Sequence, residues 1–357
     1  MSVDTLDDVA LVCSVACGFC NADFSQWTSD RWGGTFDCAN KHGVLPMVTD
    51  CCTEHGAQAG GDVKLWLYST EVLRRKLELN TSVVKRLGKL LASANIDMLL
   101  LKGLSLNLYW PHYNWRVSSD VDFYLFGRWR EADELMRKSG ILQVRDFPHH
   151  HTMASLNGVL LENHYDFFDT SNHRSNRVLD AAMKRMVSND GYYRPLTELG
   201  DNVFAMSPTM SALFLMRHMS AHFASETLTL RMLLDWALFL RREKDNVDWN
   251  STIDLYRKGG LIPFAEIVSG LVSRKLNDDI AFPVDICDDA TAERVWRSMA
   301  TAPEQNRYRE GSLRYVLYEA HVFWDNRWKY RIAFPRESYL LLLLKYLVAH
   351  LVNVVKR

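Results

Sequence analysis

Two carboxylates one residue apart, Asp120 and Asp122, stand in an otherwise apolar run, Asp120-Val121-Asp122-Phe123-Tyr124-Leu125. Strand side chains alternate faces, so both aspartates point one way while Val121 and Phe123 enter a core. Carboxylates about 7 Å apart along a strand repel each other on a bare surface. As a pair they suit a hard divalent cation such as Mg²⁺ (or Mn²⁺), which takes oxygen ligands. Asp-x-Asp by itself also occurs in turns and solvated edges; its context here argues for chemistry. Upstream, the apolar Met98-Leu99-Leu100-Leu101 ends abruptly on Lys102-Gly103, and a helix-length segment separates that step from the aspartates.

Other candidate groups lie around this stretch. Arg116, four residues before Asp120, either clamps a phosphate, holds the first aspartate, or forms a salt bridge at a loop end. Downstream, Asn157-Gly158 is a hairpin turn signal that feeds Val159 to Phe168, where Glu162, His164 and Asp166 share a face by the two-residue period. Of the adjacent His149, His150 and His151, at most two can converge on a metal or on the pocket, because strand neighbours point apart. His218 and His222 lie one turn apart on a helix and read as packing or site-lining, with His222 the better placed. A zinc motif there would need a Glu base and a third ligand at defined spacing. Cys13-x-x-x-Cys17-x-x-Cys20 has the spacing of an iron–sulfur motif. It is set in a small, apolar, helix-like run where cysteine acts as a small hydrophobe, and Cys51-Cys52 reads the same way.

Leu101-Lys102-Gly103, Tyr109-Trp110-Pro111, Arg116-x-x-x-Asp120-x-Asp122 and Glu162-x-His164 together resemble the uncharacterised bacterial nucleotidyltransferase family of the polymerase β-like superfamily. His42-Gly43-Val44-Leu45-Pro46 is similar to the helix-linking step of that family's N-terminal region. Leu230-Arg231-Met232-Leu233-Leu234-Asp235 is similar to the helix that follows its catalytic core. The resemblance implies transfer of a nucleoside monophosphate from an NTP to an acceptor. It makes Glu162 the third carboxylate, with Asp166 the alternative, so that Asp120, Asp122 and Glu162 hold two Mg²⁺ (or Mn²⁺). Gly103, Lys102 and Ser105 would position the triphosphate, although Leu104 stands where the superfamily has a serine. Arg116 would stabilise charge in transfer, and His164 would orient a carboxylate or the nucleophile. The alternative is a degenerate member that keeps the fold as a binding or scaffolding module.

The elements that must position these groups follow from periodicity. A long amphipathic helix runs from Val63 to about Ala94, with Leu73, Leu77, Val84, Leu87 and Leu91 on one stripe. Gly56 to Gly61 reads as a loop before it. Gly103 opens a helix to about Tyr109, and Pro111 to Trp115 is a loop. Trp129 to Ser139 is a helix stopped by Gly140, and Asn172 to Pro195 is a polar, variable stretch. From Ser207 the chain is helical, started by Pro208. Arg231 and Asp235 can pair at i, i+4, and a buried Asp235 needs some partner. The expected fold is α+β: a mixed-sheet nucleotidyltransferase core over 95–200, with helical regions at 1–94 and 201–357.

The 357 residues are 48% hydrophobic, ample for a real core, and the formal net charge of −1 gives no global case for nucleic-acid binding. The expected partners are an NTP donor and a small-molecule, glycan-precursor or protein acceptor. The start of the chain lacks a signal-peptide pattern, and seven cysteines do not form a disulfide framework, so the expected location is cytoplasmic. Tyr339 to Leu351 is the most hydrophobic run, but Lys345 and His350 interrupt it and it is shorter than the roughly 20 apolar residues of a membrane span. It reads as a buried or membrane-surface helix, compatible with weak membrane association.

Overall fold

The computed structural model describes residues 2–55, 63–144, 150–190, 194–278, 280, 282–301 and 312–345. The expected loop from Gly56 to Gly61, His149, and the chain after Lys345 lie outside the described residues. Three helices come first: α1 (Val3–Ala16), α2 (Ser29–Lys41) and α3 (Leu45–Glu54). Ser2 and Thr28 cap the first two by accepting backbone N–H bonds, and Pro46 occupies the first turn of the third. The amphipathic helix α4 runs Val63–Ala92 and buries Leu77, Val84, Leu87 and Leu91. Asn95, left-handed at φ 53°, then turns the chain into β1 (Met98–Leu100).

The helix after Gly103 is shorter than the sequence suggests. It is a single turn, α5 (Leu104–Asn107), and it ends where the Asn107 amide donates to the carbonyls of Tyr113 and Arg116, 2.8 Å each. Those bonds draw the chain back, and the expected loop ends as a 3-10 turn at Tyr113–Trp115. Next come β2 (Asp120–Tyr124), α6 (Trp129–Lys138), β3 (Leu142–Val144) and the hairpin β4 (His151–Leu156) and β5 (Val159–His164). Asn157 and Gly158 turn that hairpin with φ of 54° and 80°, as the Asn-Gly signal requires. The supposedly variable stretch after it contains a helix, α7 (Asn176–Asp190), which buries Leu179, Ala182 and Met183 beneath a polar outer face. The sheet is completed by β6 (Arg194–Pro195) and β7 (Val203–Ala205). Among the described residues, helices follow: α8 (Pro208–Ser225), α9 (Leu230–Glu243), α10 (Trp249–Gly259), α11 (Ile262–Lys275), α12 (Asp289–Ala300), α13 (Leu313–Asp325) and α14 (Arg327–Ala333).

The sheet order is β3-β4-β5-β2-β1-β7-β6, with β2–β5 and β1–β7 parallel and the other pairs antiparallel. The molecule is therefore α+β, with a mixed sheet flanked by helices. Alternation sorts the strands cleanly. Met98, Leu100, Val121, Phe123 and Leu161 pack with α4 and α6 on one face. Leu99, Leu101 and Tyr124 face the other way, into a core shared by α1–α3 and α8–α12. Asp120, Asp122, Glu162 and His164 belong to that second face by parity. No helix among the described residues is long and apolar enough to cross a membrane.

Candidate functional site

The site begins with register. β2 and β5 run parallel, and Asp122 is the partner of Glu162 while Tyr124 is the partner of His164. Two polar stripes forty residues apart in sequence are thereby laid side by side. Leu101 donates its N–H to the Asp122 carbonyl (3.0 Å), which brings Lys102 to the same face. Its Nζ lies 2.9 Å from Asp122 Oδ2 and 3.1 Å from Asp120 Oδ2. His164 Nε2 lies 3.3 Å from Asp122 Oδ1 and 3.7 Å from Glu162 Oε2.

Electrostatics follow from this crowding. Burial pushes the Asp122 carboxyl up, but the Lys102 charge and the His164 hydrogen bond outweigh it and hold the group well below the usual range. Burial likewise pulls Lys102 down, and the two aspartates more than reverse that. Glu162 is raised by burial and by the neighbouring Asp122 charge. Burial lowers His164, yet its bonds to Asp122 and Glu162 bring it up to about 9.

The turn beside this cluster is held by buried polar groups. Gly103 sits at φ 69°, a conformation that favours glycine, and a Cβ there would meet Ser118 Oγ at 3.4 Å. Its carbonyl accepts from Arg116 (2.9 Å), whose guanidinium is otherwise committed to Asp235 through bonds of 2.6 and 2.8 Å. Trp110 Nε1 donates to the same aspartate (2.8 Å). Arg116 thus braces the glycine turn through an ion pair across the fold, and it touches neither Asp120 nor Asp122 in this arrangement. The i, i+4 pairing of Arg231 with Asp235 does not form: Arg116 holds the carboxylate, and Arg231 donates to the Val117 carbonyl (2.6 Å). Ser105 is turned inward, its hydroxyl donating to the Lys102 carbonyl at 3.3 Å.

These groups open into two connected spaces. A cleft of about 390 Å³ is lined by Lys102, Asp120, Asp122, Glu162 and His164 at one end and by Phe167, Phe168, Phe214 and Phe334 at the other. A smaller chamber of about 120 Å³ shares Lys102, Asp120, His218 and His222 with it and adds Gly103, Ser118, Ser119, Arg231 and the Arg116–Asp235 pair. Both helix α8 histidines therefore reach the site. Asp166, the alternative third acid, lies past the end of β5, where it pairs with Lys184 and accepts from Thr170. A larger open groove of about 790 Å³ runs along α4, but Glu71, Glu78, Lys85 and Lys89 in its wall are solvated surface side chains.

Apart from Arg231, which the sequence offered only as a partner for Asp235, several residues here had no mark in the sequence. Asn80, fully buried on α4, donates to the Ser118 carbonyl (2.8 Å) and so sets the backbone just before Asp120. Ser118, Ser119 and Arg231 line the chamber, and Arg217 and His173 line the cleft. Only the polar interruption of an apolar helix at Arg217 and Arg231 offered a signal. Cys13, by contrast, lies on α1 and Cys17 caps its C-terminal end, where burial pushes the Cys13 thiol up and Cys17 to about 12.

A mixed sheet thus presents Asp-x-Asp and Glu-x-His on neighbouring strands, beneath a roof of helices. A profile of the family described as uncharacterised nucleotidyltransferase matches residues 28–277, and the chain belongs to that family. No curated protein and no solved structure gives a significant match.

Proposed function

We propose that this chain transfers a nucleoside monophosphate from an NTP to an acceptor hydroxyl of a small molecule, a glycan precursor or a protein, in a reducing cytoplasm. The observation that carries the reading is the convergence of Asp120, Asp122 and Glu162, on two adjacent strands, at the mouth of a cleft. A cleft of about 390 Å³ falls in the range of roughly 300–1,000 Å³ typical of small-ligand sites.

The donor set fits a hard dication. Three carboxylates offer oxygen ligands, and the lysine drawn between two of them shows that the spot demands positive charge. Asp120, Asp122 and Glu162 would hold two Mg²⁺ (or Mn²⁺) ions. Bound there, such ions lower the pKa of an acceptor hydroxyl and steady the departing pyrophosphate.

The remaining roles belong to the chain's own groups. The Gly103 turn, Ser118, Ser119 and Arg231 make a cationic, donor-rich chamber suited to the triphosphate, with Lys102 at its boundary. Ser118 and Ser119 would supply the hydroxyl that Leu104 cannot and that Ser105 turns away. Arg116 lines the chamber while bound to Asp235 and the Gly103 carbonyl, and it would stabilise charge built up in transfer. His164 orients Asp122 and Glu162. The aromatic wall of Phe167, Phe168 and Phe214 suits a nucleobase.

Lys102 also favours a second reading. A built-in counter-charge stabilises Asp120 and Asp122 without any ion, as a non-catalytic binding module would require. Incubating the chain with α-labelled NTPs and a cell extract separates the two. Mg²⁺-dependent incorporation of label, absent in Asp120→Asn and Asp122→Asn, supports transfer; equal incorporation by those variants removes the assignment.

A further inference from the structure

Beside the carboxylates stands a group of imidazoles of which the proposed transfer uses His164 alone. Adjacent histidines on a strand diverge, so His150 and His151 should not share a target. They do, because His150 lies just outside β4. Its carbonyl accepts from both Tyr165 N (3.0 Å) and Asp166 N (3.1 Å), which fixes it against the end of β5. His151 opens β4 and is the cross-strand partner of His164. The three rings form a near-equilateral triangle, with centroids 4.7, 5.0 and 5.0 Å apart. One nitrogen from each lies within 4.8 Å of the other two.

We propose that His150, His151 and His164 form a cation site for a borderline transition-metal dication, Zn²⁺ foremost. Tetrahedral Zn²⁺ with Zn–N bonds of about 2.0 Å holds the centroids of its imidazoles roughly 5 Å apart, the spacing found here. Glu162 Oε2 lies 3.9 Å from His151 Nε2 and 3.7 Å from His164 Nε2, so a carboxylate borders the triangle.

The hydrogen bonding of His164 points the same way. Its Nδ1 lies 3.3 Å from the Asp166 carbonyl, which can only accept, so Nδ1 carries a proton. Nε2 then faces Asp122 and Glu162, two further electron-pair donors. An imidazole donating its far N–H to a backbone carbonyl is the usual support of a metal-ligating histidine. Imidazole nitrogen suits zinc, copper, iron and nickel, whereas Mg²⁺ prefers oxygen. The site therefore selects a different ion from the one Asp120 and Asp122 would take. It shares His164 with the proposed transfer site, and the triangle of imidazoles stands if that reading fails.

Cobalt serves as the visible probe. The full chain, stripped with a chelator, is titrated with Co²⁺ alone while visible absorption is followed. The expected result is about one equivalent of nitrogen-ligated, low-coordinate Co²⁺, displaced by Zn²⁺ and not by millimolar Mg²⁺. His150→Ala and His151→Ala each weaken it by about tenfold or more, while Asp120→Asn leaves the spectrum in place. A wild-type chain without that spectrum, or one whose spectrum survives both histidine variants or yields to Mg²⁺, overturns the proposal. Should a variant lose its fold by circular dichroism, imidazole ¹⁵N resonances of the wild type decide: Zn²⁺ must shift three histidines, and fewer than three refutes the site. Loss of transfer activity in Asp120→Asn with the Co²⁺ spectrum intact keeps the two assignments apart.

Discussion

At the scale of single residues, Lys102 and Arg116 are the informative positions, since each is held in an ion pair with a buried carboxylate. Lys102 is the counter-charge for two largely buried aspartates. Removing one partner of a buried pair costs about 3–5 kcal/mol because the other charge is stranded. Lys102→Met should therefore lower stability by roughly that much in EDTA, and Mg²⁺ should restore more melting temperature to the variant than to the wild type. An equal Mg²⁺ response in both would mean that the carboxylates do not gather an ion. Arg116 and Asp235 are 4% and 6% exposed, which makes their bond a structural brace. Arg116→Ala should lose about 3–5 kcal/mol in urea unfolding; reduced turnover at unchanged stability would leave it a role in transfer alone. The sequence carried the Asp120–Asp122 pair and Glu162–His164 because each is written in the local two-residue period. It could not carry the Arg116–Asp235 bond, which joins positions 119 residues apart, or the Asn80–Ser118 bond, which joins positions 38 apart.

At the scale of elements, the two outlying motifs prove to be halves of one joint. His42 ends α2, and its Nδ1 accepts the Leu230 N–H (3.2 Å) while its carbonyl accepts the Arg231 N–H (3.2 Å). These are unpaired donors of the first turn of α9, so His42 caps a helix 188 residues away. Gly43, at φ 71°, is needed because a Cβ would meet the Arg231 side chain at 3.2 Å. The element that holds the chamber's arginine is thus seated on the His-Gly step. An accepting Nδ1 must be unprotonated, and burial, with the Lys41 charge, pulls His42 down to about 4. The unfolded imidazole titrates near 6.5, so between those values the unfolded state binds more protons and stability falls as pH falls. The joint should be intact above pH 6.5 and lose roughly 3 kcal/mol on acidification to pH 4. Urea unfolding of wild type and His42→Asn across that window checks this: the variant should start less stable and show a shallower slope, and parallel slopes would rule the cap out. Gly43→Ala should weaken NTP binding through Arg231, while costing about 1 kcal/mol or more in stability.

At the scale of the whole molecule, the cleft is a seam. Its floor is the second face of the sheet, and its walls come from α8 and from the segment around Tyr330 and Phe334 at the end of α14. The sheet's other face belongs to a separate core with α4 and α6. The floor's own core runs without a break from α1 through α3 into α8–α12. Composition and periodicity foretold helices on both sides of a sheet, but not that the first and last thirds of the chain would fuse into one body, since side-chain interdigitation leaves no periodic trace. A ligand bridging floor and wall ties that body to the sheet, so it should stabilise the molecule as a unit. For a ligand that binds only the folded state, a hundredfold excess over Kd contributes about 2.7 kcal/mol. Melting the purified chain with each NTP in turn, with and without Mg²⁺, should give a concentration-dependent rise for one nucleotide that needs the metal. Arg231→Gln, in the chamber, should shrink that rise without touching the carboxylates; Asp122→Ala should abolish its metal dependence. A rise indifferent to Mg²⁺ in every case would fit a binding module that uses Lys102 as its permanent cation. No rise with any nucleotide would mean that floor and wall were shaped for a different occupant.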